Sequence, residues 1–213
     1  MGGDDRVARG HVNASPGLPC APGTRYTEGM AVDRARPALL GFFLPLTRRI
    51  CAELRVGDDT IAAYLAEVLT EFARTDRLYR LRTPGGARLD RVVEMLGFGP
   101  PAPGPAGVLA FHRYVGDFAL FMSGLFRSFV ERGGYLGYYL EEGARAYARA
   151  SALAEGEPRA GRLLYRELSV RFEYYAGALD YLRKVRFPGL PGTDPVGAFL
   201  REMQGVVAGL SRN

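Results

Sequence analysis

His112 and Asp117 stand five residues apart in the run Phe111-His112-Arg113-Tyr114-Val115-Gly116-Asp117-Phe118. A carboxylate near an imidazole is raw material for proton transfer. On a helix, however, five residues turn about 500°, so the two side chains do not share a face. Arg113 and Asp117, four apart, do share one, and a local ion pair or a hydrogen bond to a neighbouring helix is the simpler reading of Asp117. If it is buried without a partner, its setting among Phe118, Phe121 and Met122 would raise its pKa and favour chemistry. Tyr135, Tyr138, Tyr139 and Tyr147, then Tyr165, Tyr174, Tyr175 and Tyr181, supply amphipathic rings. Such rings commonly close the boundary of a helical core, and they also line ligand pockets and interfaces. The residues that would carry a ligand site are His112, Asp117, Tyr138 and Tyr139.

A second constellation is basic. Arg159, Arg162 and Arg166 fall on one helix face, while Arg183, Lys184 and Arg186 crowd that segment's end. The three arginines are the candidate anion site, against the plainer reading of a solvated face. No nucleic-acid-binding motif accompanies them, so sequence-specific DNA or RNA binding is not expected. Metal chemistry lacks ligands: there is no Glu-x-x-His, the histidines are His11 and His112, and Cys20 and Cys51 have no ligand spacing. Gly85-Gly86 and Gly133-Gly134 lack the Lys-Ser/Thr ending of a phosphate loop, and no nucleophile elbow occurs. No metal or cofactor is therefore expected.

Hydrophobic periodicity predicts an all-α, single-domain bundle of six or seven helices. Residues 1–35, rich in Gly, Pro and isolated charges, read as a disordered tail before a helical domain over 36–213. A first helix is expected from Pro37, kinked at Pro45. Asp58 or Asp59 can cap the next, whose stripe runs through Ile61, Leu65, Val68, Phe72 and Tyr79 to the Thr83-Pro-Gly-Gly86 stop. A short helix follows around Val92 and Leu96. Four prolines within 99–107 mark a linker between two helix groups. A central helix is expected over 108–131, then one after Gly134, one over 158–187 and a last one capped by Asp194 and Pro195.

The whole chain sets outer bounds. With 47% hydrophobic and 24% charged residues it can fold as an ordinary globular domain, and its net charge of +5 is too modest to specify a polyanion partner. The uncharged run between Asp117 and Arg127 is too short for a membrane span, and the opening residues lack an apolar signal core, so the cytoplasm is the expected compartment. The run Val115-Gly-Asp-Phe-Ala-Leu-Phe-Met-Ser-Gly-Leu-Phe126, with Tyr138-Tyr139 downstream, resembles an uncharacterised family of helical bacterial proteins; the resemblance implies no activity and no site residue. The function expected first is a non-catalytic protein-interaction module, with a protein partner or a homo-oligomer. A small-ligand-binding protein or enzyme with a pocket near Asp117 is the alternative, followed by a weak nucleic-acid binder.

Overall fold

The computed structural model describes residues 35–154, 159–190 and 193–210. The tail expected over 1–35 lies outside the described residues save for its last position. Among the described residues the chain forms ten helices and no strand: α1 (Ala35–Leu54), α2 (Asp59–Phe72), α3 (Thr75–Leu78), α4 (Val92–Phe98), α5 (Pro105–Leu125), α6 (Arg127–Arg132), α7 (Leu136–Leu153), α8 (Arg159–Val170), α9 (Phe172–Arg186) and α10 (Pro195–Leu210). Seven of them span 12 to 21 residues, while α3, α4 and α6 are single short pieces. The count therefore exceeds the expected six or seven because short helices form at the corners.

α5 is the central element, flanked by α7 and α9, while α1 packs on α2 and α8 covers α7. Two contacts show how closely α5 is approached. A Cβ at Gly143 of α7 would stand 2.2 Å from Cζ of Phe172 and 2.8 Å from Cβ of Ala119, and one at Gly124 of α5 would stand 2.5 Å from Cβ of Leu179. Side chains at either position would force the helices apart. Around Phe199 of α10, the rings of Phe43, Phe121, Phe126 and Phe187 lie with centroids 5.5 to 6.3 Å away. These offset and edge-on pairs knit α1, α5 and α10 together. Phe72 of α2 likewise meets Tyr114, Phe118 and Phe121, so buried packing continues across the Pro-rich 99–107 segment.

Several boundaries depart from the pattern-based expectation. Pro45 lies within α1 without ending it; the Thr47 hydroxyl donates to the carbonyls of Phe43 and Leu44 and satisfies acceptors beside the proline. Asp58 does cap α2, accepting from the Ile61 amide at 3.0 Å, but α2 ends at Phe72 rather than continuing to Tyr79. Pro105, expected in the linker, opens α5, where its missing N–H is no loss. The helix expected over 108–131 is divided at Phe126; Ser123 Oγ donates to the Ala119 carbonyl at 2.7 Å, a back-bond that bends helices. The segment expected as one helix over 158–187 is divided at Arg171. Asp194 caps α10 by accepting from the Gly197 amide at 2.9 Å. Among the described residues, no helix is long and apolar enough to cross a membrane.

Candidate functional site

Helix periodicity decides where Asp117 goes. On α5 it faces α2 and α7, and its side chain is 13% exposed. One oxygen, Oδ1, accepts from the Tyr64 hydroxyl at 2.5 Å and from the Tyr147 hydroxyl at 2.7 Å. The other faces Arg113 Nε at 3.6 Å. Tyr165 of α8 completes the group, its ring parallel to Tyr147 with centroids 6.3 Å apart and its oxygen accepting from Arg113. Burial raises Asp117 above the ordinary carboxylate value even though Arg113 and the two phenols favour the ionised form. Burial and the adjacent carboxylate in turn raise Tyr64 and Tyr147 well above the phenol range. Four helices thus meet on one satisfied carboxylate. A cavity of about 150 Å³ reaches its edge, lined also by Arg77, Arg80 and Tyr114, but its size suits a few waters rather than an organic ligand.

His112 does not join this centre. It is buried on another face of α5, against Phe111, with Nδ1 unpartnered among the described residues. Burial, then the charge of Arg149, lowers its pKa. Tyr138 and Tyr139 lie apart from both His112 and Asp117, so the four residues proposed from sequence fall into three places.

Tyr138 and Tyr139 instead belong to a larger cavity of about 530 Å³. Its floor is Phe118 and Met122 of α5 with Leu78 and Val130. Its walls are Tyr79, Val93, Phe129, Tyr135, Tyr138 and Tyr139, and its charged residues are Asp90, Arg91, Arg132 and Asp194. Local structure explains the convergence. Gly134 takes φ +77° after α6, a left-handed turn that suits glycine, and the Tyr135 amide then donates to the Val130 carbonyl at 3.1 Å. Tyr135, Tyr138 and Tyr139 follow at the start of α7, facing the cavity. Opposite them, the turn closed by the Thr83 amide on the Ala87 carbonyl and the Leu89 amide on the Leu81 carbonyl carries Asp90 back toward Tyr79. The capped start of α10 brings in Asp194. Val93, Phe129, Tyr135 and Tyr138 are large apolar or aromatic residues that remain exposed, at 36 to 51%. All four line this one cavity.

The basic residues have mixed fates. Arg162 and Arg166 are exposed on α8, and the side chain of Arg159 lies outside the described residues. Arg166 borders a shallow groove with Leu163 and Val170 rather than a basic channel. At the end of α9, Lys184 binds Asp180 at 2.6 Å, Arg183 reaches it at 3.9 Å, and Arg186 lies over Phe42. Among the described residues no group of three or more His, Cys, Asp or Glu could hold a metal ion. Tyr79, Asp90 and Asp194 were not singled out from sequence as site residues, because they are brought together from three separated segments. No known protein family, curated protein or solved structure matches the chain.

Proposed function

We propose that the chain is a small-molecule binding protein whose site is the tyrosine-walled cavity between α3, α4, α6, α7 and the start of α10. The observation that carries this reading is the convergence of Val93, Phe129, Tyr135 and Tyr138 on its rim over the Phe118 and Met122 floor. A volume of about 530 Å³ falls within the range of sites that enclose drug-sized ligands. Apolar floor, aromatic walls and a few charged groups are the composition such sites use. Asp117 belongs to the scaffold in this reading, its oxygens being taken by protein groups.

Native mass spectrometry of protein purified from its own host tests the proposal. The wild type should retain a molecule of small organic mass, and the double variant Val93→Glu/Tyr138→Glu should lose it with an unchanged melting temperature. A wild type that carries no such mass, and whose cavity resonances do not move in an NMR screen of aromatic fragments, would refute it.

A second reading, a protein-interaction module, draws on a different face. Leu163, Val170, Tyr174 and Tyr181 are exposed along α8 and α9, with Val170 74% accessible. Two open grooves meet at Val170, one against Leu54 to Val56 and one against Gly57 to Ile61. Contiguous exposed apolar surface of this kind suits association. Concentration-dependent self-association in sedimentation, abolished by Val170→Asp/Tyr174→Asp and untouched by the cavity variants, would favour it.

A further inference from the structure

The cavity is not electrically uniform. Asp90, on the stretch leading into α4, and Asp194, at the start of α10, approach it from two segments, and both carboxylates lie near the Tyr79 hydroxyl. Asp90 also lies near the Tyr139 hydroxyl. Among the described residues Asp90 makes no ion pair, whereas Asp194 holds the Gly197 amide with one oxygen and faces Arg201 at 3.5 Å with the other. The Tyr79 ring already acts as a seat for positive charge: the Arg88 guanidinium lies 4.9 Å from its centroid. The other aromatic walls present π-faces of the same kind.

Two arginines also line the cavity and must be weighed. Arg132 is engaged within the fold. Arg91 faces Tyr139, where its influence is smaller than that of Asp90. Tyr139 and Tyr79 are both raised, first by burial; at Tyr79, Asp90 acts more strongly than the opposing Arg88, and Asp194 adds to it. At the phenolic end of the cavity the carboxylates outweigh the guanidinium groups.

We infer that the cavity takes an amphipathic organic cation, its apolar body resting on Phe118 and Met122 and its ammonium lodged beside Asp90, Asp194 and the Tyr79 and Tyr139 rings. The inference rests on the binding reading above and adds the charge of the ligand. Aromatic faces attract a desolvated ammonium through the ring quadrupole, and carboxylates at the rim add Coulombic attraction without enclosing the ion. A neutral ligand of the same shape would use only the floor, and an anion would meet Asp90 and Asp194 as like charges.

Three probes of similar shape separate these cases in calorimetric titrations of the full chain: 3-phenylpropylamine, 3-phenylpropan-1-ol and 3-phenylpropionate. The amine should bind about tenfold more tightly than the alcohol, the sum of a modest cation–π and a screened ionic contribution. The carboxylate should bind most weakly. Asp90→Asn should erase the preference for the amine while leaving the alcohol unchanged, and Asp194→Asn, which keeps an acceptor for the Gly197 amide, should reduce it without unfolding α10. Equal binding of amine and alcohol, or an Asp90→Asn variant that keeps the preference, overturns the inference and leaves the binding reading standing. Tightest binding of the carboxylate overturns it in favour of an anionic ligand at Arg91. Binding of none of the three overturns both readings.

Discussion

The Asp117 centre and the tyrosine-walled cavity use the same residue types to opposite ends. Around Asp117, Tyr64 and Tyr147 donate to a single carboxylate oxygen, Arg113 faces the other, and the rings pack on each other. The polar groups are consumed inside the fold. At the cavity, Tyr135 and Tyr138 keep rings exposed and Asp90 has no ion-pair partner among the described residues. A polar network whose members are satisfied rigidifies the packing of helices, while unspent aromatic and charged groups remain open to a ligand. Phe118 stands between the two, one residue from Asp117 and part of the cavity floor.

The comparison can be broken most forcefully at that shared position. Phe118→Ala removes a ring only 1% exposed and should destabilise the protein by about 3–5 kcal/mol in urea unfolding, while enlarging the cavity. A cost near zero would mean that the ring does not bear on the core. Next in size, Asp117→Ala strips the two phenols of their acceptor and should cost about 1–3 kcal/mol, with Asp117→Asn milder because its amide oxygen can still accept. Unchanged melting temperature in Asp117→Ala would remove the distinction drawn between the two regions.

A smaller effect sharpens the electrostatics. Burial raises the folded-state pKa of Asp117, so its contribution to stability is fully present below its unfolded value near 4 and is lost as pH rises through the raised folded value. His112 behaves oppositely. Its folded pKa is lowered by burial and by Arg149, so its contribution is present above about 6.5 and is lost as pH falls through the folded value. Denaturant midpoints against pH should therefore rise more weakly, or not at all, between the acid side and pH 6.5 in His112→Gln than in the wild type. Asp117→Asn should remove the fall contributed on the carboxylate side. The smallest stability change belongs to the cavity rim: Tyr138→Ala, 36% exposed, should shift unfolding by no more than about 0.5 kcal/mol while weakening ligand binding. A stability loss comparable to that of Asp117→Ala would mark the rim as structural.

Much of the helical architecture is legible in the sequence, because apolar spacing follows from which face must be buried. Leu168, Phe172, Tyr175, Leu179 and Leu182 form such a series, and every one is buried. The divisions at Phe126 and Arg171 are less legible, since neither position carries the proline or glycine that ordinarily marks a helix end; both depend on packing between distant helices. The same limit governs the sites. The helical wheel separates His112 from Asp117 and joins Asp117 to Arg113, yet it says nothing of Tyr64, 53 residues earlier, whose hydroxyl reaches the carboxylate. The Tyr138-Tyr139 pair announces aromatic surface, whereas Tyr79, Asp90 and Asp194 become one neighbourhood only when a turn and a capped helix bring them together.

The glycines at 124 and 143 carry a consequence for how this sequence can drift over evolution. Each gives its space to a named neighbour, Leu179 in one case and Phe172 with Ala119 in the other. A methyl group at either position collides with that neighbour rather than with solvent, so single changes are selected against while paired changes have a route. Gly143→Ala becomes tolerable together with a smaller residue at 172, and Gly124→Ala with a smaller one at 179. In divergent descendants of this chain, positions 143 and 172 should therefore vary jointly or stay fixed, and the same holds for 124 and 179, while exposed positions such as Val170 change independently of one another.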